Sequence, residues 1–465
     1  MTETDTTTPD LTSIYGASVS QIAQAEAFTN GDLPVAVYGL GKMGLPLASV
    51  FAETCGNVIG ADIDPDVVET INAGECHVKR EPGLEPLVAD LVEEGALRAT
   101  TDPREAARVA SIHVVIVPTP ITEEKEPDLA ILDAVISDIA TGLDDGDLVL
   151  VECTVPPKTT EERVFERLLT ESDLERGDFG VAFCPERTSS GRALEDIRGA
   201  YPKVVGGVDA ESTRAASVIY DEINTEGVLA VSDSTTAEAV KLFEGLYRDV
   251  NIALANELGR FTDELGIDVR EAIEIANTQP FCHIHDPGPG VGGHCIPYYP
   301  YFLIKPFETP SPLLSTARDV NDSMPSFTVS KVREGLHANG IDVKDATVIV
   351  LGLTYRPGVE EIRASPSIEI TQELSDSGAS VYGVDPLLDS FDSFDVHPID
   401  QANIYDIGAD AIVLVTPHEE FESIRWDNLD ADPDGPSVFI DGRATLENLE
   451  LDSWTYTIGT GVKSR

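Results

Sequence analysis

Residues 35–44 read Val35-Ala36-Val37-Tyr38-Gly39-Leu40-Gly41-Lys42-Met43-Gly44, and they carry the clearest indication of the fold. Its first four residues are apolar and predict a buried β-strand, and the pattern after them predicts a helix running to about Phe51. Gly39 allows a tight turn, Gly41 lets the backbone approach a pyrophosphate, and Gly44 lets the helix pack on the strand. The turn therefore predicts a Rossmann-type dinucleotide site, which also includes Leu40, Lys42 and Met43.

A carboxylate at the end of the next predicted strand indicates which dinucleotide binds. Asp62 lies 18 residues after Gly44 and follows an apolar strand over residues 58–61. An acidic side chain at this position accepts hydrogen bonds from the adenosine ribose, whereas a nearby Arg accommodates a 2′-phosphate. No Arg adjoins Asp62. We therefore expect NAD as the cofactor rather than NADP.

Strands and helices alternate on both sides of a helical middle region. Apolar strands are predicted at residues 113–117, 148–151 and 180–183, and then at 346–352, 381–385, 411–415 and 437–440. The second series has only Gly352-Leu353-Thr354 in place of the full glycine turn. This alternation predicts the α/β class, with two Rossmann-like, doubly wound domains joined by a long central helix and a helical middle domain. The expected segments are a flexible acidic tail (1–32), an NAD-binding domain (33–232), a central helical domain (233–335) and a second Rossmann-like domain (336–465).

The central helix is predicted from a capping pattern and an apolar stripe. Thr235-Thr236-Ala237-Glu238 has the form of a capping box, and Gly266 is a plausible end. A helix of this length, on the order of 45 Å, is expected to join two domains and to supply a subunit interface. Apolar residues recur along it in steps of three or four, at Val240, Phe243, Tyr247, Val250, Leu254, Leu258, Phe261 and Leu265.

The composition excludes several classes of partner. The 465 residues include 83 acidic and 31 basic side chains, for a formal net charge of −52, which would repel nucleic acids and anionic membranes. No apolar run reaches the roughly 18 residues that span a bilayer. Six cysteines without metal-type spacing indicate reduced thiols, so we expect a cytoplasmic protein without a metal site. The acidic, lysine-poor composition is typical of adaptation to high salt.

A second glycine-rich segment places a cysteine beside a ligand-binding loop. It reads Pro287-Gly288-Pro289-Gly290-Val291-Gly292-Gly293-His294-Cys295. Such a loop brings backbone amides close to a ligand. A thiol becomes a strong nucleophile when nearby positive charge or helix amides lower its pKa. Any of the other five cysteines, Cys282 especially, could be the reactive one, but the context favours Cys295.

Taken together, these motifs resemble the UDP-glucose/GDP-mannose dehydrogenase family from Val35 to about Arg443. The matching stretches are residues 39–44, Val117-Pro118-Thr119-Pro120, Thr154-Val155-Pro156-Pro157, Cys184-Pro185-Glu186-Arg187, residues 237–242, Asn256-Glu257-Leu258, residues 292–295, Arg363-Ala364-Ser365-Pro366 and Asp441-Gly442-Arg443. The resemblance implies oxidation of a sugar C6 alcohol to an acid through a thioester, with supply of surface polysaccharide or glycoprotein glycan as the family's setting.

The resemblance also assigns roles to individual residues. Cys295 matches the nucleophile, Lys241 the cation that stabilises the C6 oxygen, and Glu186 the base that activates water, for which we expect a raised pKa. Thr154 matches the hydroxyl that holds this water and borders the nicotinamide. The NAD contacts are expected to include Thr119, Thr154 and Arg363. The UDP-sugar, held largely by the last domain, is expected to contact Glu186, Arg187, Lys241, Gly290, Gly292, Gly293, Tyr355, Arg356 and Arg443.

Three positions depart from the family pattern. Gly245 stands where the family usually has Asn, Tyr299 where it has Asp, and Lys158 where it has Gly. The loss of one polar donor near a reacting oxygen costs roughly 100-fold to 1,000-fold in rate. Two other readings therefore remain open: an alcohol dehydrogenase that stops at the aldehyde, and a catalytically silent UDP-sugar-binding protein.

The residues before the cysteine bear on the choice of sugar. His294 and the Pro-Gly-Pro-Gly-Val lead-in are similar to family members that act on UDP-N-acetylhexosamines, whereas UDP-glucose members more often have Ser before the Cys. We therefore expect UDP-N-acetylmannosamine or UDP-N-acetylglucosamine as the substrate, with UDP-glucose as the alternative. A homodimer or higher homo-oligomer is expected.

Overall fold

The computed structural model describes residues 13–433 and 435–463. The chain divides into two compact units, and the boundary falls inside the central helix. Unit 1 ends at Phe243 and also contains Tyr301–Pro306, whereas unit 2 contains Glu244–Pro300 and the chain from Phe307 onward.

Unit 1 is an α/β unit built on one sheet. Its strands are β1 Val35–Tyr38, β2 Val58–Ala61, β3 Leu97–Thr100, β4 Ile112–Val115, β5 Leu148–Val151, β6 Gly180–Phe183, β7 Lys203–Gly207 and β8 Val228–Ala230. Its helices are α1 Gln21–Thr29, α2 Gly44–Cys55, α3 Pro65–Asn72, α4 Leu84–Glu93, α5 Pro103–Val109, α6 Ala130–Ala140, α7 Glu166–Glu171, α8 Ala193–Glu195 and α9 Ala210–Ile223, with π-helical turns at Thr160–Phe165 and Asp196–Ala200.

The central helix and unit 2 follow. The helices are α10 Ser234–Arg260, α11 Thr262–Leu265, α12 Val269–Ala276, α13 Tyr301–Ile304 (part of unit 1), α14 Pro312–Asp322, α15 Met324–Ala338, α16 Pro366–Asp376 and α17 Trp426–Asp430. The strands are β9 Thr347–Leu351, β10 Ser380–Val384, β11 His397–Pro398, β12 Ala411–Leu414, β13 Val438–Asp441, β14 Trp454–Thr457 and β15 Gly461–Val462. Short 3₁₀ turns occur at Val343–Asp345, Gln401–Tyr405 and Glu419–Ser423.

The sheet of unit 1 has the order β3-β2-β1-β4-β5-β6-β7-β8. Its described pairings are parallel except that between β6 and β7. Alternate residues of β1 enter opposite apolar layers: Val35 and Val37 pack on one face, and Ala36 and Tyr38 on the other. The strand order reverses between β1 and β4, which places a nucleotide-binding crevice at their carboxyl ends.

The sheet of unit 2 repeats this plan in the order β11-β10-β9-β12-β13-β14-β15. Val348 and Val350 of β9 pack on one face, and Ile349 and Leu351 pack on the other. Pairing is parallel along the sheet until β15, which runs antiparallel to β14. The strand order again reverses at the first strand of the unit.

The predicted flexible tail is wrong from residue 13 onward, and residues 1–12 lie outside the described part of the chain. Helix α1 begins after Ser20, whose side chain accepts a hydrogen bond from the Ala23 amide. Ile14 and Phe28 are fully buried in the core of unit 1. These two residues are isolated apolar positions in a polar segment, and they meet the rest of the core only in the folded unit.

The central helix forms, but its ends differ from the prediction. Asp233 accepts the Thr236 amide at 2.7 Å, and the Glu238 carboxylate accepts the amides of Lys158 and Thr160 instead of closing a capping box. Helix α10 ends at Arg260, and Gly266, with φ 63°, closes the short α11. No helix within residues 13–433 and 435–463 is both long and apolar enough to cross a membrane.

Candidate active site

The predicted site residues fall into two groups, one in each unit. In unit 1, Gly39 has a left-handed backbone, φ 94°, and a Cβ on Gly44 would lie 1.9 Å from the carbonyl oxygen of Gly39. A Cβ on Gly41 would meet no atom within 4 Å. The turn itself therefore requires Gly39 and Gly44, whereas the open space beside Gly41 fits a ligand that approaches the backbone.

The start of α2 fits a phosphate group. Met43 is the N-cap of this helix and makes no side-chain hydrogen bond to it. Gly41 and Lys42 are exposed at the same end. A helix start without a side-chain cap offers backbone amides and the positive end of the helix dipole to an anion.

Asp62 lies beside the glycine turn at the end of β2. Its Oδ2 accepts the Leu40 amide at 2.8 Å, and its Oδ1 accepts the Asp64 amide at 3.0 Å. The side chain is half-buried, and each carboxylate oxygen can accept a second hydrogen bond. Asp62 can thus hold the turn and bind ribose hydroxyls together.

Thr119 and Thr154 lie at the carboxyl ends of the neighbouring strands β4 and β5. The Thr119 hydroxyl donates to the Thr154 carbonyl oxygen at 2.6 Å. Because β4 and β5 are adjacent and parallel, both residues lie at the edge of the sheet where the glycine turn lies. This bond keeps the two strand ends together beside the predicted cofactor site.

Glu186 and Lys241 are paired within unit 1. Lys241 Nζ lies 3.3 Å from Glu186 Oε2 and also donates to the Glu186 carbonyl oxygen. The amide and the hydroxyl of Thr188 both donate to Glu186 Oε1. Lys241 is buried, so its ammonium group is directed at Glu186 and not at solvent.

The expectation that Glu186 has a raised pKa is wrong. Burial raises the pKa of this carboxyl, but the charge of Lys241 and the hydrogen bonds from Thr188 outweigh burial and hold the pKa below its ordinary value. Glu186 is therefore ionised at neutral pH.

Arg187 lies against an aromatic ring. Its guanidinium is 4.8 Å from the centre of the Tyr201 ring, and it donates to the Pro202 carbonyl oxygen at 3.3 Å. The Tyr201 hydroxyl donates in turn to the Arg187 carbonyl oxygen. The backbone next to Glu186 is thereby fixed to the segment before β7.

A buried ion pair behind Glu186 was not predicted from the sequence. Lys203 Nζ lies 2.6 Å from Glu152 Oε2, the Tyr220 hydroxyl donates to Glu152, and Lys203 lies over the Tyr220 ring. Burial raises the pKa of Glu152, and Lys203 opposes that shift. One pocket of unit 1 is lined by Glu152, Lys203, Glu186 and Met43, so the cluster adjoins both the base and the glycine turn.

The environments of the cysteines discriminate among the candidate nucleophiles. Cys55, Cys153 and Cys184 are buried, and burial raises the pKa of the Cys55 thiol to about 11 and that of Cys153 to about 12. Burial also raises the pKa of Cys184. Cys295 is exposed, whereas Cys282 is only partly so. A thiol that must react with a ligand needs access, and Cys295 has it.

Neighbouring side chains of unit 2 explain the glycines of the cysteine loop. A Cβ on Gly288 would lie 2.5 Å from Arg443 Nη1, and one on Gly290 would lie 2.8 Å from Pro366. The Tyr355 side chain packs on Gly292 and Gly293. A Cβ on Gly292 would lie 2.6 Å from this side chain, and one on Gly293 would lie 2.9 Å from it. Two residues predicted to bind substrate thus contact the loop that ends at Cys295.

His294 belongs to a hydrogen-bonded group beside Cys295. Its Nε2 lies 2.6 Å from Glu361 Oε2, and Arg363 Nη1 lies 2.7 Å from its Nδ1. A guanidinium can only donate, so Nδ1 accepts and Nε2 donates to the carboxylate. Arg363 was predicted to contact NAD. Its carbonyl oxygen accepts a hydrogen bond from the Gly293 amide at 2.8 Å.

Arg443 is a largely buried cation that repels its neighbour. Burial and the charge of Arg270 together lower the pKa of Arg443 to about 10, and the charge of Asp286 opposes the shift. Its nearest hydrogen-bond partner is the Gly290 carbonyl oxygen at 3.5 Å. Within the described part of the chain, no carboxylate lies within 4 Å of this guanidinium. A largely buried cation that forms no ion pair with a carboxylate favours an anionic ligand.

Arg248 and Asn256 lie near the predicted site residues of unit 2, although the sequence analysis assigned a role to neither. Burial raises the pKa of Tyr355, and the charges of Arg356 and Arg248 oppose this, so Arg248 acts on the same ring as the predicted Arg356. Asn256 Oδ1 accepts the Gly288 amide at 2.8 Å and fixes the start of the cysteine loop. Arg248 lies seven residues after Lys241, a helical spacing that could have indicated it.

Three consecutive segments of the chain match models of one family. The models describe the NAD-binding domain, the central domain and the UDP-binding domain of the UDP-glucose/GDP-mannose dehydrogenase family, over residues 33–224, 235–323 and 349–448. The predicted NAD cofactor is thereby confirmed.

Individual relatives span nearly the same length. The chain is 37% identical over 436 residues to the UDP-N-acetyl-D-mannosamine dehydrogenase of Pyrococcus horikoshii, covering 92% of this chain and 99% of the relative. It is 36% identical over 405 residues to an NDP-N-acetyl-D-galactosaminuronic acid dehydrogenase of Ralstonia nicotianae, covering 85% and 93%. The solved structure of the UDP-D-ManNAc dehydrogenase from Pyrococcus horikoshii matches with a TM-score of 0.83 at 34% identity, covering 92% and 99%, and confirms the predicted fold class. With its three domains present in the family's order, this chain is a dehydrogenase that belongs to the UDP-glucose/GDP-mannose dehydrogenase family.

Proposed function

We propose that this protein is an NAD-dependent UDP-N-acetylhexosamine 6-dehydrogenase. It oxidises C6 of UDP-N-acetylmannosamine or UDP-N-acetylglucosamine to a carboxylate through a thioester on Cys295. The observation that carries the proposal is the exposed Cys295 thiol at the end of a glycine loop on which Arg443 and Tyr355 pack. Two relatives named UDP-N-acetyl-D-mannosamine dehydrogenases, 37% and 36% identical to this chain, favour UDP-N-acetylmannosamine over UDP-N-acetylglucosamine as the substrate.

The diphosphate is assigned to Arg443. A planar guanidinium can bond two phosphate oxygens at once, and an anion offsets the repulsion between Arg443 and Arg270. Arg356 and Arg248, whose charges both act on Tyr355, are assigned to the same anionic substrate. Gly290, Gly292 and Gly293 then present backbone to the sugar nucleotide.

The cofactor is assigned to the turn of unit 1. NAD, when bound, accepts the hydride in each of the two oxidations. Gly41 and the start of α2 hold its pyrophosphate, and Asp62 holds its adenosine ribose. Thr119, Thr154 and Arg363 are assigned as further contacts.

The remaining chemistry is assigned to side chains. The Cys295 thiolate adds to the C6 aldehyde carbon, forming a C–S bond and placing negative charge on oxygen, which the ammonium of Lys241 stabilises. Loss of hydride leaves the thioester. Glu186, ionised at neutral pH, then takes a proton from a water held by Thr154. The hydroxide attacks the thioester carbonyl, the C–S bond breaks, and Cys295 leaves as the thiolate.

The thioester role is tested by counting NADH per sugar. The unsubstituted protein with UDP-N-acetylmannosamine is expected to form two NADH per acid. Cys295→Ala is expected to lower acid formation on the order of 10⁴-fold, because the nucleophile is gone. Cys282→Ala is the matched control and should form acid at the unsubstituted rate. Full acid formation by Cys295→Ala would refute the role.

The choice of sugar is tested with purified protein at high KCl. NADH formation is measured with NAD and, in turn, UDP-N-acetylmannosamine, UDP-N-acetylglucosamine and UDP-glucose. We expect turnover with one of the two N-acetylhexosamines. NADH formation with UDP-glucose alone would overturn this choice.

A further inference from the structure

Gly245 lies inside helix α10, where the resemblance leads one to expect Asn. A Cβ at this position would lie 2.3 Å from Cδ2 and 3.1 Å from Cε2 of Tyr299. Real side chains do not approach so closely, so the Tyr299 ring occupies the space that any side chain at 245 would need. Two of the three departures from the family pattern are thus in direct contact.

The Tyr299 ring is connected to the cysteine by a single turn of chain. The Tyr299 amide donates to the Cys295 carbonyl oxygen at 2.9 Å, and the Tyr298 amide donates to the same oxygen at 3.1 Å. Tyr299 is 8% exposed. One end of this turn carries the exposed thiol, and the other end carries a buried ring pressed on the helix.

A glycine in this place is unfavourable for the helix itself. Gly245 lies far from both ends of α10, where alanine would be the better helix former. Gly245 is therefore a poor helix former, and its absent side chain leaves the space that the Tyr299 ring occupies. Gly245 and Tyr299 are complementary in shape, since neither an Asn nor an Ala at 245 leaves room for the ring.

We propose that Gly245 and Tyr299 together are the anchor that positions the Cys295 thiol. The proposal rests on the proposed thioester role of Cys295. Tyr299 and Gly245 are positioning residues, because they act on the reaction through the turn that holds the sulfur. A displacement of about 1 Å of a reacting group can lower a rate about 100-fold.

The anchor predicts which half of the reaction suffers when it is broken. Formation of the aldehyde does not need the thiol, whereas the second oxidation begins only after sulfur has bonded to the aldehyde carbon. Misplacement of Cys295 is therefore expected to lower NADH per sugar from two towards one, with the aldehyde released and captured as its semicarbazone. A variant that is merely less stable lowers both oxidations together.

The test is a double-mutant cycle on the full-length protein with Gly245→Ala, Tyr299→Ala and both changes together. Three quantities are measured: NADH per UDP-N-acetylmannosamine, aldehyde captured by semicarbazide, and the rate at which iodoacetamide alkylates Cys295, read by peptide mass spectrometry. Glu257→Gly, at an exposed position of the same helix, is the control for a general loss of stability.

Gly245→Ala is expected to lower the second oxidation about 100-fold and to change the Cys295 alkylation rate. In the Tyr299→Ala background the same substitution should cause no further change, because the ring it would strike is gone. Glu257→Gly should keep two NADH per sugar. Tyr299→Ala alone should also release aldehyde, which keeps the test valid if Gly245→Ala does not fold.

The anchor is refuted if Gly245→Ala keeps both the unsubstituted alkylation rate and two NADH per sugar, or if its effect is the same with and without the Tyr299 ring. Failure of the proposed function looks different. In that case Cys295→Ala forms acid at the unsubstituted rate, while the alkylation cycle still reports whether the ring and the glycine position the thiol.

Discussion

Lys158 has a left-handed backbone, φ 78°, that residues other than glycine adopt at a cost. The resemblance leads one to expect Gly at this position. The Lys158 amide donates to Glu238 Oε2 at 2.5 Å, and the Thr160 amide donates to Oε1 at 2.7 Å. The buried carboxylate therefore holds a backbone conformation that the lysine side chain disfavours.

Lys158→Gly is expected to raise the free energy of unfolding by about 1 kcal/mol, because glycine adopts this conformation without steric strain. Chemical denaturation at fixed salt measures the change. Lys158→Ala is the control, since it keeps a Cβ and loses only an exposed ion pair with Glu162 that contributes little. Equal stability of all three proteins would contradict the assignment of strain.

At the scale of elements, the start of α10 is joined to the segment after β5 by one carboxyl group. Glu238 is buried, and burial raises its pKa from 4.5 to about 7, assisted by Asp233 and opposed by the amides it accepts from Lys158 and Thr160. The loop after Thr154 and the helix that carries Lys241 thus share a group that titrates near neutrality.

This carboxyl is expected to make stability fall as pH rises from 4.5 to about 7. In that window folded Glu238 retains a proton that the unfolded chain has lost, so deprotonation favours unfolding, by on the order of 3 kcal/mol in total. Denaturation curves of the unsubstituted protein and of Glu238→Gln, taken across the window, measure it. Their difference should change steadily with pH; parallel curves would exclude Glu238 as the source.

The apolar stripe of the central helix is largely exposed. Tyr247 is 53% exposed, Leu254 45%, Phe261 42% and Leu265 60%. An exposed apolar face of this kind is typical of a surface that binds a partner. We propose a second copy of the chain as that partner, because two equal faces match each other under twofold symmetry.

Leu254→Glu is expected to shift the protein from dimer to monomer, because it would bury a charge in the proposed interface. Light scattering coupled to size-exclusion chromatography measures the mass. Ile22→Glu makes the same change at an exposed position of α1, 72% accessible, and should leave the mass unchanged. If the unsubstituted protein is a monomer at high salt, the proposed dimer is wrong.

At the scale of the whole molecule, the excess of negative charge dominates. The formal net charge of −52 is carried by 83 acidic residues, and many of the arginines already form ion pairs with carboxylates. Repulsion among the rest opposes the compact state. The cations of the proposed site, Arg443 among them, stand out against this background as attractors for an anionic substrate.

We expect the melting temperature to rise with KCl, most steeply below ~1 M, where the Debye length falls from ~10 Å at 0.1 M to ~3 Å. Differential scanning calorimetry from 0.1 to ~3 M KCl measures the effect. Sucrose at matched osmolality separates charge screening from solvent exclusion. A melting temperature that stays constant or falls with salt would show that repulsion is not the limiting factor.

Much of the fold and part of the site could be predicted from the sequence. Strands β1, β2, β5 and β6 occur at the predicted residues, and the glycine turn leads into α2. Such features depend on side-chain periodicity and on residues within one turn of each other. None of the edge strands β3, β8, β11 and β15 was predicted, and neither were β7 and β14. Strands β8, β11 and β15 have only two or three residues each, too few to show a period.

The α/β class, the dinucleotide turn and the glycine loop before Cys295 could each be predicted from the sequence, because each is encoded in a contiguous run of residues. Three features became evident only in the folded chain: the lowered pKa of Glu186, the burial of Ile14 and Phe28, and the contact of Gly245 with the Tyr299 ring. The physical reason is that burial, electrostatic environment and shape complementarity arise between residues distant in the chain, and no local pattern records them.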